Sequence, residues 1–157
     1  MDPISVVWGH ATGPTKMSSY DAALAAAGVE NYNLVAVSSV IPQGAEVQPV
    51  GTAPDLGPVG ERLTVVEARA TSTEPGHVSA GLGWAQSPDG GLFYEASGDT
   101  DEADIDERVR RGLAAGQELR DWDFSDPHVR VESASVDPGT YTTAVVLAVY
   151  GDSDPLL

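Results

Sequence analysis

Strand-like runs outnumber helical ones in this 157-residue chain, about seven to two, and that imbalance restricts its fold more than any other feature. The runs are Ile4–Trp8, Asn33–Val37, Arg62–Ala70, Val78–Ala85, Leu92–Ala96, Val129–Val136 and Tyr141–Tyr150. A doubly wound parallel sheet needs a crossover helix for nearly every strand pair, and two helices cannot supply them. An α+β arrangement is expected instead, with two packed sheets and the helices outside. At this length a single domain spanning residues 1–157 is the simplest organisation.

Local signals mark the ends of the elements. Ser18 is a plausible N-cap of the first helix, with Asp21 three residues later where it can answer a capping serine. Ala22 to Ala27 are strong helix formers, and Gly28 suits a left-handed stop. The second helix starts acidic, over Asp99–Asp106, and places Arg108, Arg110, Arg111 and Arg120 later, matching the macrodipole. Ile105, Val109 and Leu113 recur every four residues as one core-facing stripe. Gly112 and Gly116 each cost about 1 kcal/mol relative to alanine, so packing must hold that helix. Gly81 and Gly83 imply close backbone approach within a packed strand. Ser87-Pro88-Asp89-Gly90-Gly91 reads as a hairpin turn and Asp137-Pro138-Gly139 as a plain turn. Gln43–Gly60, rich in proline and glycine, reads as an extended connection.

Charge narrows the setting. The net charge is −16, with 24 acidic residues against seven arginines and a single lysine, Lys16. Such a surface disfavours nucleic acid and anionic lipid and attracts cations. Acidic, lysine-poor surfaces also suit proteins that work in concentrated salt, where the Debye length shrinks to roughly 3 Å at 1 M and self-repulsion is screened. Partial unfolding in dilute buffer is the expected consequence, read as a lower melting temperature without salt. Full stability and activity in dilute buffer would count against salt adaptation.

Cysteine is absent, which excludes disulfides and thiolate chemistry. The longest apolar runs, near Ala144–Val149, are too short to span a membrane, and no signal sequence opens the chain, so a cytoplasmic location is expected. His10, His77 and His128 fall in unrelated segments, so no metal site is expected. No Walker-type phosphate loop is present, and Gly81-Leu82-Gly83 lacks the third glycine of a dinucleotide fingerprint.

Chemistry is concentrated at Asn33-Leu34-Val35-Ala36-Val37-Ser38-Ser39-Val40-Ile41-Pro42, where a Ser-Ser pair ends an apolar run just before a turn. In such a pair the second hydroxyl can attack the preceding carbonyl and convert the amide to an ester. β-Elimination then releases the upstream carboxylate, and hydrolysis of the dehydroalanine leaves a pyruvoyl group and ammonia. Its ketone takes an amino-acid amine and accepts the electrons freed when CO₂ departs. The dipeptide alone is common, and a second copy stands at Ser18-Ser19.

Three further segments single out the first copy. Tyr20-Asp21-Ala22-Ala23-Leu24-Ala25-Ala26-Ala27-Gly28-Val29, the strand from Tyr32 to the Ser-Ser pair, and Gly91-Leu92-Phe93-Tyr94-Glu95-Ala96-Ser97-Gly98 resemble the pyruvoyl-dependent arginine decarboxylases in order and spacing. Pro42 and Gly44 are similar to the family's turn after the break. The likeness covers most of the chain, least across Gln43–Arg69 and the final third.

The resemblance implies an αββα sandwich and cleavage between Ser38 and Ser39 into chains 1–38 and 39–157. It implies a covalent pyruvoyl group made from Ser39, with neither metal nor pyridoxal phosphate. Asn33, five residues before Ser38, matches an asparagine whose amide serves processing and orientation. Glu95 matches the proton donor, a role needing a desolvated carboxyl protonated near neutral pH. Asp21 matches an aspartate facing the substrate guanidinium, and Leu24 would wall its aliphatic part. The implied assembly is a homotrimer with active sites between neighbours, and stacking into a hexamer is a further option. The implied reaction turns arginine into agmatine and CO₂. Two alternatives stand beside it: the same chemistry on another amino acid such as histidine, or an unprocessed binding or regulatory subunit. The loop Gly9–Lys16 is poorer in charge than the family's, which leaves its part in the pocket open.

Overall fold

The computed structural model describes residues 1–157. In chain order its elements are β1 (Ile4–Gly13), α1 (Lys16–Ala27), β2 (Asn33–Ala36), β3 (Val40–Ile41), β4 (Val47–Gly51), β5 (Arg62–Ser72), β6 (His77–Ser87), β7 (Gly90–Gly98), α2 (Glu102–Glu118), β8 (His128–Ser135) and β9 (Tyr141–Tyr150). The strands form a five-stranded sheet ordered β2-β5-β9-β1-β4 and a four-stranded sheet ordered β3-β7-β6-β8. Only the edge pairs β1/β4 and β2/β5 are parallel; the other pairings are antiparallel. The α+β class is as expected, an αββα sandwich.

Alternation along the central strands explains the layers. On β9, Ala144, Val146 and Ala148 face the other sheet, where they meet Val78, Ala80, Leu82, Trp84 and Phe93. Val145, Leu147 and Val149 face the opposite way, onto Ala23, Leu24 and Ala27 of α1. Burial on both faces is why this strand reads as a continuous apolar run rather than an alternating one. The third layer of packing sets Ile105, Val109 and Leu113 of α2 against Leu92 and Val131.

Glycines set how closely the helices approach. A Cβ at Gly81 would run into Ile105, and one at Gly83 into Val109 and Leu113, so α2 lies directly on the bare backbone of β6. The helical glycines have the converse role. A Cβ at Gly112 would fall within the Tyr94 ring, and one at Gly116 would stand 3.2 Å from Leu92 Cδ1. The propensity lost at these two positions is exchanged for packing against β7.

Four local readings are corrected. Gly9–Lys16, read as a loop, is strand as far as Gly13, which pairs with Tyr141 on β9. The N-cap of α1 is Thr15; Ser18 is the reciprocal partner in its capping box, so Asp21 has no capping duty and is exposed on the helix. Gln43–Gly60 contains β4, because Pro49 is tolerated on an edge strand that needs no donor on its outer side. The tally of strands rises to nine with β4 and the two-residue β3. Asp137-Pro138-Gly139 is a turn with Gly139 at φ 86°, but it carries the chain from one sheet to the other. Gly28 ends α1 at φ 81° as expected.

Candidate active site

At the end of β2 the Val37 N–H donates to the Val65 carbonyl at 2.9 Å, within the five-stranded sheet. Two residues on, the Ser39 carbonyl accepts the Phe93 N–H at 2.7 Å, at the edge of the four-stranded sheet. The Ser38–Ser39 peptide is therefore the step by which the chain changes sheets, secured on both sides. A bond in that position can break while each new end stays hydrogen-bonded to its own sheet.

The β3–β7 register pairs Val40 with Leu92 and Ile41 with Gly91, which sets Ser39 beside Phe93. Glu95 follows two residues along β7 and shares the inter-sheet face with Phe93. Phe93 is buried, whereas Glu95 is exposed at the rim. Ser38, Ser39 and Glu95 thus gather at one sheet edge. Ser39 opens on a pocket of about 460 Å³ whose walls include Leu92, Phe93, Leu113 and Arg120. Glu95 lines an adjoining, more open hollow of about 650 Å³ with Arg108 and Arg111. Tyr94, seated on Gly112, borders both.

The remaining residues selected from sequence lie elsewhere in a single chain. Asp21 is exposed on the outer side of α1. Leu24 is 7% exposed and packs between α1 and the five-stranded sheet. Asn33 begins β2, about 16 Å from Ser38 along an extended strand, and its Nδ2 donates to the Gly60 carbonyl at 2.7 Å. None of the three lines the Ser39 pocket. The histidines are dispersed as well: His10 pairs with Glu132 at 3.0 Å, His128 stacks on Trp84, and His77 starts β6.

Two residues near the crossing had no sequence signal. Arg120 reaches the pocket by donating to the Gly116 carbonyl at 2.9 Å and lying over Trp122. Tyr150 OH donates to the Val40 carbonyl at 3.0 Å, and its ring centroid lies 6.0 Å from that of Phe93. Burial, and then the charge of Glu95, push the Tyr150 phenol up to about 12, so at neutral pH it is a donor.

Comparison with known proteins bears on this arrangement. The family model for pyruvoyl-dependent arginine decarboxylase matches residues 3–155. This chain belongs to that family. It is 55% identical over 158 residues to a pyruvoyl-dependent arginine decarboxylase of Halobacterium salinarum, covering 99% of this chain and 98% of the relative. A protein of the same name from Pyrococcus abyssi is 36% identical over 142 residues, 88% of this chain and 87% of the relative. One from Methanocaldococcus jannaschii is 32% identical over 138 residues, 85% and 79% of the two chains.

Membership in the pyruvoyl-dependent arginine decarboxylases implies a covalent pyruvoyl group, and the two Ser-Ser pairs differ in their fitness to yield one. Ser18 completes the capping box of α1. Ser19 is fully buried, with its hydroxyl 2.7 Å from Thr143 Oγ1 and 2.9 Å from the Lys16 carbonyl. A break there would destroy a helix. Ser38 and Ser39 stand between elements, beside a largely apolar pocket.

Proposed function

We propose that this chain decarboxylates L-arginine to agmatine and CO₂, using a pyruvoyl group made from Ser39 by autocatalytic cleavage at Ser38–Ser39. The single observation that carries the reading is the position of that peptide in a family member: between two sheets, anchored on both sides, and open to a pocket. The group supplies a ketone that accepts the electron pair released with CO₂. The chain's own residues do the rest. The Phe93 N–H fixes the Ser39 carbonyl, and Leu92, Phe93 and Leu113 exclude water from one side. Glu95, two residues along the same edge, delivers a proton to the α-carbon.

The working unit in this reading is an oligomer, a homotrimer with stacking into a hexamer as a further option. The Ser39 pocket has no carboxylate in its lining to meet a guanidinium, and Asp21 is exposed on a different layer. A neighbouring chain that brought Asp21 and Asn33 to this edge would complete the site and desolvate Glu95. Exposed apolar side chains surround the crossing, with Val35 42%, Val37 44%, Val40 49% and Leu119 82% exposed. Such clustering marks a surface that is covered by another chain. No helix is long and apolar enough to cross a membrane, and the cytoplasmic location expected from the sequence is kept as part of the proposal. One domain, divided by cleavage into 1–38 and 39–157, completes it.

Intact-mass measurement of the purified protein tests the reading. Two fragments, 1–38 and 39–157, are expected, the larger resistant to Edman degradation and captured by hydrazines. Labelled amino acids supplied one at a time should release labelled CO₂ chiefly from arginine. A permanently uncut chain would favour the binding or regulatory alternative, and faster release from histidine would favour the other substrate.

A further inference from the structure

The crossing loses half of its support when the chain is cut. Before cleavage, residues 39–41 are tied upstream through Ser38 to β2 and its bond to Val65. Afterwards they form a free chain end, and chain ends fray unless tied down. β3 is only two residues long, too short to hold such an end by its ladder alone. Ile41 is fully buried in the inter-sheet core and anchors the downstream end. Ahead of it, and apart from the ladder, two hydrogen bonds hold the segment: the Phe93 N–H to the Ser39 carbonyl, and the Tyr150 phenol to the Val40 carbonyl.

The phenol comes from the opposite sheet. Tyr150 ends β9, the middle strand of the five-stranded sheet, whose residues from Thr142 to Val149 are buried. It therefore reaches across the sandwich from a strand buried along almost its whole length to the shortest one. Packing of its ring on Phe93 aims the hydroxyl.

We propose that Tyr150 is a positioning residue that pins Val40 to the five-stranded sheet, so that the reactive end made from Ser39 stays beside Phe93 and Glu95 after the chain is severed. This rests on the cleavage reading given above. Reactive groups held near their attack geometry gain most of their advantage from such fixing, and a loose supporting contact forfeits it. The phenol keeps its proton to about pH 12, so the clamp holds throughout the neutral range.

Tyr150→Phe retains the ring and removes only the donor, which makes it the informative variant. Hydrogen exchange at the Ile41 and Phe93 amides, which lie in the β3–β7 ladder, should quicken about five- to tenfold, the effect of one lost hydrogen bond. The comparison is made twice, in the cleaved protein and in an uncut Ser39→Ala background. In the cleaved protein kcat per hydrazine-titratable ketone should fall about tenfold while KM for arginine changes less than about twofold. A purely structural tyrosine would lower the melting temperature and leave those two amides and kcat per ketone unchanged, and that result overturns the clamp. Unaltered exchange at Phe93 in both backgrounds overturns it as well. If the wild-type chain is never cut, the cleavage reading fails instead, and with it the clamp's purpose, whatever the exchange rates show.

Discussion

Replacing Ser39 with alanine is expected to leave one uncut polypeptide with no decarboxylation of any amino acid. The reason is stoichiometric: the Ser39 hydroxyl is the attacking group, and its oxygen leaves as the ester is eliminated, so without it neither the break nor the ketone can form. The fold should survive intact. Ser39 is half-buried and is held through its backbone carbonyl, which alanine retains. Stability should change by no more than about 0.5 kcal/mol. Intact mass, hydrazine reactivity and CO₂ release would report the three consequences separately. Cleavage in this variant would place the break elsewhere in the chain, and residual turnover would remove Ser39 from its role.

Glu95→Gln should separate making the cofactor from using it. Glutamine keeps the size and much of the hydrogen bonding of glutamate but has no proton to give as an acid. Cleavage should therefore proceed and the ketone should titrate fully, while kcat for arginine falls by about 10² to 10⁴, the usual contribution of a positioned general acid. Glu95 follows Phe93 and Tyr94 on β7, and its backbone is fixed by pairing with Leu82. The substitution should therefore leave the melting temperature close to that of the parent. Full activity in this variant would show that another group delivers the proton.

Stability in this chain depends on solvent as well as packing. Arg108, Arg110 and Arg111 each form an ion pair along α2, with Asp104, Asp106 and Glu107. Exposed pairs of this kind contribute about 0.3–0.5 kcal/mol each, and with 24 acidic residues against eight basic ones most carboxylates have no basic partner. Lowering salt from 1 M to 0.01 M lengthens the Debye distance about tenfold. The repulsion then acts over the whole surface, which is the physical basis of the low-salt unfolding expected from composition.

Much of the fold was legible because it is local. The stripe Ile105, Val109 and Leu113 reports one helix face, the two-residue Pro88-Asp89 loop reports a hairpin, and Gly28 reports a helix end. Other elements depend on context. β4 was hidden because Pro49 breaks strands in general but not at a sheet edge. Thr15 rather than Ser18 caps α1 although both residues are good caps, because only the chain's path chooses between them.

By itself the sequence determined the chemical inventory: two serine pairs, a charge that favours cationic partners, no thiols, and patterns enough for two sheets and two helices. It could not rank Ser18-Ser19 against Ser38-Ser39 on the dipeptide, nor bring the last residue of β9 to the carbonyl of Val40. Those are decided by strand pairing between segments more than 50 residues apart, as between Phe93 and Ser39. Such contacts form because burying both faces of β9 leaves few ways to stack the sheets. Periodicity tells a residue which way to face, and only the completed stack tells it what it will meet.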